Sequence, residues 1–258
     1  MSNHKEWPAD NYAIGSYIQS TVADQYLSYL DLKPTDNVLD IGCGNGKYSQ
    51  KILQKIPQGT LLGIDSSENM LKLAENVAER YSNFNLQKDD VNSMDFKETF
   101  DYVVSFWCLQ WTSDIHQAFE NIFLALKPEG KLLTLFPTGD DPFMTTYQEV
   151  KASGQFPELE HFHPPVDYSK LKNLENQIKD IPFTSLTVER HQESILLPSL
   201  DVFRKFVNGI GFYQGEIPAE RIPLINEAMV KVFEKECQRK YAGEYQFAFS
   251  IYFIRGEK

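Results

Sequence analysis

Small residues and acids that suit nucleotide binding meet in one short segment near the start of the chain. Asp40 precedes Gly42, Gly44 and Gly46. Glycines between a strand and a helix let the backbone turn sharply and approach a ligand, and the helix start offers free N–H groups. An acid about 20 residues past the glycines, here Asp65, is suited to accept hydrogen bonds from ribose hydroxyls. The pattern predicts a site for a nucleotide-like cofactor, although the glycines also suit a tight turn and Asp65 a helix cap.

The charge beside the glycines separates two cofactor classes. A pyrophosphate is anionic and is disfavoured by a carboxylate at Asp40, whereas S-adenosylmethionine (SAM) brings an ammonium and a sulfonium against one carboxylate. The loop also reads G-x-G-x-G, without the G-x-G-x-x-G spacing of the dinucleotide fingerprint. The sequence therefore favours SAM, with a helix-capping role for Asp40 left open.

Elements that position this loop alternate between short apolar runs and amphipathic stretches. The predicted strands of the first half are Asn37–Ile41, Thr60–Asp65, Phe84–Gln87, Asp101–Phe106 and Lys131–Phe136. Helical spacing is found over Lys47–Ile56, Ser67–Ala78 and Ile115–Leu126. Such alternation predicts an α/β fold that is Rossmann-like and doubly wound, with a mostly parallel, seven-stranded sheet and helices on both faces.

After Phe136 the pattern changes to a proline-rich, polar stretch with helical pieces near Phe143–Ser153 and Tyr168–Lys179, then helices near Leu200–Gly209 and Pro218–Lys240. We expect one domain over residues 1–258, with a helical cap on the sheet. Its segments are an N-terminal helical lid (1–36), a cofactor-binding core (37–137), a cap (138–182 and 199–241) and two final strands (183–198 and 244–255).

The composition is that of a globular protein with an acidic surface. Apolar residues make up 42% of the 258 residues, which argues against a disordered chain. The net charge of −11 repels phosphate backbones, so we expect no nucleic-acid partner. Three separated cysteines suit a reducing compartment, no apolar run approaches about 18 residues, and Met1–Ser16 lacks a secretion-signal pattern. We expect a cytoplasmic protein with no membrane partner, either a monomer or a homodimer.

Four motifs in order resemble those of the class I SAM-dependent methyltransferases. Val38–Gly46 resembles the first motif of that family and Gly63–Ser67 with Met70 the second. Asp89–Val91 falls where the family contacts adenine, and Leu126–Lys131 resembles the turn before its fifth strand. The resemblance covers Asn37–Phe136 and implies SAM as cofactor, with S-adenosylhomocysteine as product.

The resemblance also implies roles for individual residues. Asp40 and the loop backbone would hold the methionine moiety, Asp65 the ribose, and Asp90 with the Val91 amide the adenine, although Asp89–Asp90 also suits a solvated turn. The cofactor-binding residues implied in this way are Asp40, Gly42, Cys43, Gly44, Gly46, Asp65, Ser66, Met70, Asp90, Val91 and Phe106.

A narrower likeness is to the trans-aconitate methyltransferase group. Trp7-Pro8 followed by Tyr12, and Leu109-Gln110-Trp111, are similar to that group. Malonyl-carrier-protein methyltransferases and juvenile hormone acid methyltransferases share parts of the pattern, and all three methylate a carboxylate oxygen. The sequence departs from the pattern at Phe106-Trp107, where two bulky aromatics narrow the expected pocket.

Substrate-binding residues are expected just past the fourth strand and in the N-terminal segment. Trp107, Gln110 and Trp111 lie at the edge where such sheets bind ligands, with Gln110 and the Trp111 indole N–H as donors to an acceptor carboxylate. Tyr12 and Tyr17 are candidates to face the sulfonium. Core packing is an alternative for Trp111 and both tyrosines.

No catalytic base or metal site stands out in the sequence. None of the five histidines lies in a strand-end motif, and His161 with His163, in the proline-rich segment, lacks a third ligand nearby. A carboxylate acceptor is already ionised at pH 7 and needs no base. We therefore predict a SAM-dependent methyltransferase of a small molecule, acting on a carboxylate oxygen of an organic, fatty or carrier-bound acid. The alternatives are a SAM-binding regulatory module without turnover, or transfer to an N, C or phenolic O acceptor.

Overall fold

The computed structural model of the chain describes residues 17–213 and 215–258, and in it seven strands form one sheet. The strands are β1 (Asn37–Ile41), β2 (Thr60–Asp65), β3 (Phe84–Lys88), β4 (Phe100–Phe106), β5 (Leu126–Pro137), β6 (Ser185–Leu196) and β7 (Gln246–Glu257). Their spatial order is β3-β2-β1-β4-β5-β7-β6.

Strand direction divides the sheet into two parts. The pairs from β3 through β2, β1 and β4 to β5 are parallel, whereas β7 is antiparallel to both β5 and β6. The predicted mostly parallel, seven-stranded sheet is confirmed. Because the chain moves from β1 towards β3 and then returns to the other side at β4, a crevice opens between the carboxyl ends of β1 and β4, where sheets of this kind bind ligands.

Helices cover both faces of the sheet, as predicted. They are α1 (Tyr17–Tyr26), α2 (Ser49–Leu53), α3 (Glu68–Ala78), α4 (Ile115–Ala125), α5 (Pro142–Ala152), α6 (Leu174–Ile178), α7 (Leu200–Gly209) and α8 (Ile222–Tyr241). Alternate strand residues point to opposite faces. In β1, Val38 therefore joins the core under α1 and α2, and Leu39 joins the core under α4 and α6.

Three predicted elements differ in extent from those in the structure. Helix α2 is shorter than the predicted Lys47–Ile56, because hydrogen bonds to the residue three positions earlier form turns at both of its ends. The predicted helix Tyr168–Lys179 is interrupted at Asn173, whose φ of 60° is left-handed. Strand β5 starts at Leu126, opposite Phe100, and so begins earlier than the predicted Lys131. The pairing of β4 with β5 shifts in register between Phe100 and Tyr102, which accommodates the turn before Lys131.

Strand β7 connects the sheet to the N-terminal helix. The Phe253 ring is fully buried and lies 4.7 Å from the ring of Tyr26 and 5.0 Å from that of Tyr29, between centroids. The Tyr26 hydroxyl donates to Glu193 and is hydrogen-bonded to His191 Nδ1, both on β6. Helix α1 is thus attached to the antiparallel side of the sheet. Within the described part of the chain, no helix has the length and apolarity needed to cross a membrane.

We predict that Phe253→Ala lowers the free energy of unfolding by about 3–5 kcal/mol, because it leaves a cavity between α1 and β7. Chemical denaturation measures this change. Leu196→Ala, on the neighbouring strand, removes a side chain that is 55% exposed and is expected to change stability by about 0.5 kcal/mol or less. Equal effects of the two substitutions would show that Phe253 does not anchor α1.

Candidate functional site

A cavity opens at the carboxyl ends of β1, β2 and β4, and we call it the strand-end cavity. It encloses about 810 Å³ of space between atoms, part of it open to solvent. Its described lining residues are Gln19, Ile41, Gly42, Gly44, Ile64, Asp65, Ser66, Met70, Asp89, Asp90, Val91, Phe106, Trp107, Cys108, Trp111 and Thr112. Eight predicted cofactor-binding residues therefore meet around one space: Gly42, Gly44, Asp65, Ser66, Met70, Asp90, Val91 and Phe106.

The glycine loop that follows β1 has the backbone conformation that its sequence suggests. Gly42, Gly44 and Gly46 have φ values of 73°, 56° and 72°, a region that favours glycine. A Cβ atom on Gly42 would lie 2.4 Å from Cys108 Cβ, so a side chain there would collide with the segment after β4. The loop needs glycine at this position because two strand ends approach each other closely.

Gly46 has a different role from the other two glycines. It lies outside the cavities described here, and a Cβ atom there would lie 3.2 Å from Ala74 Cβ and 3.3 Å from the Phe84 ring. This close contact joins the loop to α3 and β3. The structure therefore gives Gly46 a packing position under the loop, and its predicted ligand contact stays a prediction.

The Asp65 carboxylate ties the glycine loop to the end of β2. The Gly44 N–H donates to Asp65 Oδ2 at 3.0 Å, and the Ser67 N–H donates to Oδ1 at 2.9 Å. Asp65 is half-buried and lines the strand-end cavity together with Ser66. One carboxylate thus fixes the loop and presents its charge to the cavity.

Asp40 lies behind the loop in a space that we call the Asp40 cavity. Its described lining residues are Gln19, Ser20, Asp40, Gly42, Cys43, Asn45, Lys47, Tyr48, Lys51, Phe106 and Trp107. Asp40 is buried, with 2% of its surface exposed, and the Ser49 hydroxyl donates to its Oδ2 at 2.6 Å. Burial raises the pKa of Asp40 to about 7, the Ser49 hydrogen bond opposes this shift, and the nearby Asp65 charge adds to it.

The segment after β3 is ordered by side-chain hydrogen bonds, one within the segment and one from α4. Asp90 Oδ1 accepts from the Asn92 N–H at 2.9 Å, and the Val91 carbonyl accepts from Asn121 Nδ2 at 2.8 Å. Val91 and Met70 are buried apolar walls of the strand-end cavity. This part of the site is therefore an apolar slot with a carboxylate at its edge.

Trp107 separates the cavities of the site. It has a φ of 60°, which is unusual for a bulky residue, and its indole N–H donates to the Gln19 carbonyl oxygen of α1 at 3.0 Å. Trp107 and Gln19 line the strand-end cavity, the Asp40 cavity and a third space beside the helices α5 and α7. Outliers of this kind are found preferentially at functional sites.

The third space, which we call the aromatic cavity, lies between the sheet edge and the helices α5 and α7. It encloses about 590 Å³ between atoms, part of it open to solvent. Its described lining residues are Ile18, Gln19, Trp107, Gln110, Trp111, Pro137, Asp141, Phe143, Met144, Val166, Tyr168, Phe206, Ile210, Phe212, Phe247 and Phe249. Trp111 lines both this cavity and the strand-end cavity, so the two spaces share a wall.

The predicted substrate-binding residues Trp107, Gln110 and Trp111 all line the aromatic cavity. The expected hydrogen bond from Gln110 to an acceptor differs in the structure, because Gln110 Nε2 donates to the Trp107 carbonyl oxygen at 2.9 Å. Its Oε1 is buried and has no partner among the described residues. Tyr12 lies outside the described residues.

Several residues of the site were missed in the sequence. Phe206 and Phe212 line the aromatic cavity, whereas Phe203 and Tyr213, at the same helical spacing, are core residues. Asp141 was also missed, although an acid directly before Pro142 is a recognisable helix start. Its Oδ1 accepts from the N–H groups of Phe143 and Met144, and burial raises its pKa to about 6 against these hydrogen bonds.

The four histidines in the described part of the chain lie away from the strand-end cavity and the aromatic cavity. His161 and His163 are exposed, His116 faces Glu120 and Asp180, and His191 contacts Tyr26. None of these four lines the strand-end cavity or the aromatic cavity. The structure therefore brings no described histidine to the site.

Comparison with known proteins identifies the same region. A family model described as a methyltransferase domain matches residues 38–130. The malonyl-[acyl-carrier protein] O-methyltransferase 2 of Ilyobacter polytropus is 29% identical over 78% of this chain and 74% of its own length. The juvenile hormone acid O-methyltransferase of Bombyx mori is 31% identical over 68% of this chain and 66% of its own length. The trans-aconitate 2-methyltransferase of Deinococcus radiodurans is 30% identical over 52% of this chain and 51% of its own length.

The chain thus spans between about half and three quarters of the length of these relatives. The trans-aconitate group, to which the sequence is similar, is represented among these relatives. Among solved structures, the YcgJ protein of a Bacillus species has the same fold, with a TM-score of 0.63 at 16% identity over 93% of this chain and 98% of that one.

We predict that Asp40→Asn raises the free energy of unfolding at pH 8 by about 1–4 kcal/mol. The folded pKa of about 7 lies above the ordinary value of 3.8, so the stability that protonated Asp40 contributes is complete below pH 4 and is lost as the pH rises through 7. The asparagine side chain does not titrate, so the variant loses no stability at this position between pH 4 and pH 8. Denaturation at pH 5 and pH 8 measures the change, and a difference that does not grow with pH would contradict the raised pKa.

Proposed function

We propose that this chain, which belongs to the class I SAM-dependent methyltransferases and takes its methyl group from SAM, transfers that group to a carboxylate oxygen of a small molecule. The observation that carries the proposal is the wall that the strand-end cavity shares with the aromatic cavity, formed by Gln19, Trp107 and Trp111. Group transfer requires two reactants held face to face, and two adjacent spaces suit this requirement.

The residues of the strand-end cavity and the Asp40 cavity fit SAM. The raised pKa of Asp40 shows that its surroundings do not compensate for the cost of burying its negative charge. A ligand with a net positive charge would compensate for that cost. We assign the methionine moiety to Asp40 and the loop backbone near Gly44, the ribose to Asp65, and the adenine to the slot formed by Asp90 and Val91 with Met70. When bound, SAM supplies an electrophilic methyl group on a positively charged sulfur.

A carboxylate acceptor agrees with the side chains around both cavities. Among the described residues that line the strand-end cavity and the aromatic cavity there is no histidine, lysine or arginine. A carboxylate is already ionised at neutral pH, so the protein needs to align it and exclude water, without removing a proton. The apolar walls of the aromatic cavity supply the dry surroundings, and Trp107 and Trp111 position the reacting end.

One observation favours a second candidate, transfer to a hydroxyl or phenol oxygen. Asp141 lines the aromatic cavity, and its pKa of about 6 suits a general base near neutral pH. It does not line the strand-end cavity, and its Oδ1 already accepts two backbone N–H groups that begin α5. We therefore rank this function below carboxylate methylation.

We further propose that the chain acts as one domain on a free or carrier-bound small molecule, as a cytoplasmic monomer or homodimer. Helices α5 and α7, which belong to the cap segments, line the aromatic cavity together with Trp107 of the core, and this supports a single unit. The net charge of −11 supports a partner other than nucleic acid. Three unpaired cysteines support a reducing compartment.

We predict that Asp65→Ala weakens SAM binding by about 1.5–3 kcal/mol, because hydrogen bonds to a charged group are lost and the loop at Gly44 is released. Isothermal calorimetry measures the affinity. Asp95→Ala removes the same charge from an exposed position outside the cavities, and we expect it to leave the affinity unchanged. If the two variants bound SAM equally well, the assignment of Asp65 to the ribose would be wrong.

The function is tested by turnover with SAM and a panel of carboxylic acids, alcohols and phenols, measured as S-adenosylhomocysteine release and as methyl ester or methyl ether by mass spectrometry. We expect ester formation, and we expect Asp141→Asn to change kcat by less than about threefold, since no base is required. Asparagine also caps a helix, so α5 remains intact. A loss of about 10²–10⁴-fold in this variant, with ether products, would establish the hydroxyl acceptor instead. SAM binding without turnover of any acid or phenol would indicate a regulatory module.

A further inference from the structure

We infer, building on the proposed function, that the aromatic cavity selects acids with a single carboxylate and an uncharged, mostly apolar body that carries one hydrogen-bond donor. The inference rests on three features of the cavity: its apolar walls, the sign of its only charge and one buried oxygen atom. Acids with a second or third carboxylate are excluded on the same grounds.

The walls of the aromatic cavity are apolar side chains from elements that are distant in the sequence. Phe143 and Met144 lie on α5, Phe206 on α7, and Phe247 and Phe249 on β7. Each of these side chains has less than a tenth of its surface exposed. A ligand that enters this space gains by burying CH₂ groups and has few polar atoms to contact. The cavity is therefore built for an apolar body.

The charge in the cavity opposes a second carboxylate on the substrate. Asp141 is the only charged residue among the described lining residues, and 7% of its surface is exposed. By contrast, the Asp40 cavity on the other side of Trp107 is lined by Lys47 and Lys51. A carboxylate placed beside Asp141 would be buried without a cation and next to a like charge, which is strongly unfavourable. A single carboxylate avoids this cost when it faces the shared wall.

One buried oxygen atom in the cavity wall favours a substrate that carries a hydrogen-bond donor. Gln110 Oε1 is buried without a partner among the described residues, while its Nε2 donates to the Trp107 carbonyl oxygen. Gln110 lines the aromatic cavity but not the strand-end cavity, so a donor that reaches it would belong to the acceptor and not to the cofactor. A buried acceptor without a donor is costly, and a hydroxyl or N–H on the substrate satisfies it. Gln110 thus distinguishes a substituted acid from a plain one.

The first experiment compares straight-chain monocarboxylic acids of increasing length with the α,ω-dicarboxylic acid of each length. We expect kcat/KM for the monoacids to rise about three- to fourfold per CH₂ until the cavity is filled, the value that corresponds to about 0.8 kcal/mol per group. The diacids should be at least 100-fold poorer. In parallel, calorimetry measures binding of each acid to the protein saturated with S-adenosylhomocysteine.

The outcomes separate this inference from the proposed function. Efficient turnover of diacids or tricarboxylic acids would overturn the inference and leave carboxylate methylation intact. Tight binding of long monoacids without turnover would overturn the proposed function and support the inference about the cavity. Failure of every monoacid to bind would overturn the inference.

The second experiment tests Gln110 with positional hydroxy acids of the preferred chain length. We expect the best hydroxy acid to exceed the plain acid in kcat/KM at least tenfold, and we expect Gln110→Met to abolish this preference, measured as the ratio of the two kcat/KM values within the variant. Gln58→Met, at an exposed position outside all three cavities, is the matched control and should keep the preference. An unchanged preference in Gln110→Met, with native thermal stability, would overturn the role of Gln110.

Discussion

The site depends on a carboxylate that the fold buries behind the glycine loop. Asp40 lies at the end of β1, with the Ser49 hydroxyl as its hydrogen-bond donor, and its surroundings hold its pKa near 7. An acid in this position reduces the stability of the folded chain at neutral pH, and a cation recovers that energy on binding. If Asp40 holds the methionine moiety as proposed, stability and cofactor affinity are opposed at this one residue.

Trp107 places the chemistry at the boundary between two environments. On one side are the acids and backbone groups of the strand-end cavity, and on the other the apolar walls of the aromatic cavity. Its left-handed backbone conformation is held by a hydrogen bond from its indole to Gln19 and by the close contact of Cys108 with Gly42. In the proposed function, this boundary would place the charged cofactor against polar groups and the acceptor against apolar ones.

The sequence was sufficient to predict the sheet, its mostly parallel pairing and the glycine loop, because each depends on neighbouring residues. Asp40, Gly42 and Asp65 belong to two adjacent strand ends, so a local pattern predicts that they meet. The aromatic cavity depends on contacts between segments far apart in the chain, and a phenylalanine at helical spacing is equally suited to a core. Phe203 and Phe206 show this directly, since they are neighbours on α7 and only Phe206 lines the cavity. The side-chain hydrogen bond of Gln110 was likewise beyond prediction, because it depends on the turn after β4.

The antiparallel strands complete the site and do more than extend the sheet. Strand β7 supplies Phe247 and Phe249 to the aromatic cavity, and Phe253 of the same strand packs against α1. Helix α1 in turn carries Gln19, which lines all three cavities and accepts the hydrogen bond of Trp107. Disturbing β7 therefore affects the acceptor side directly and the shared wall through α1. In the proposed function, the parallel half of the sheet provides the cofactor residues, and the antiparallel half holds α1 and α7 beside the cavity assigned to the acceptor.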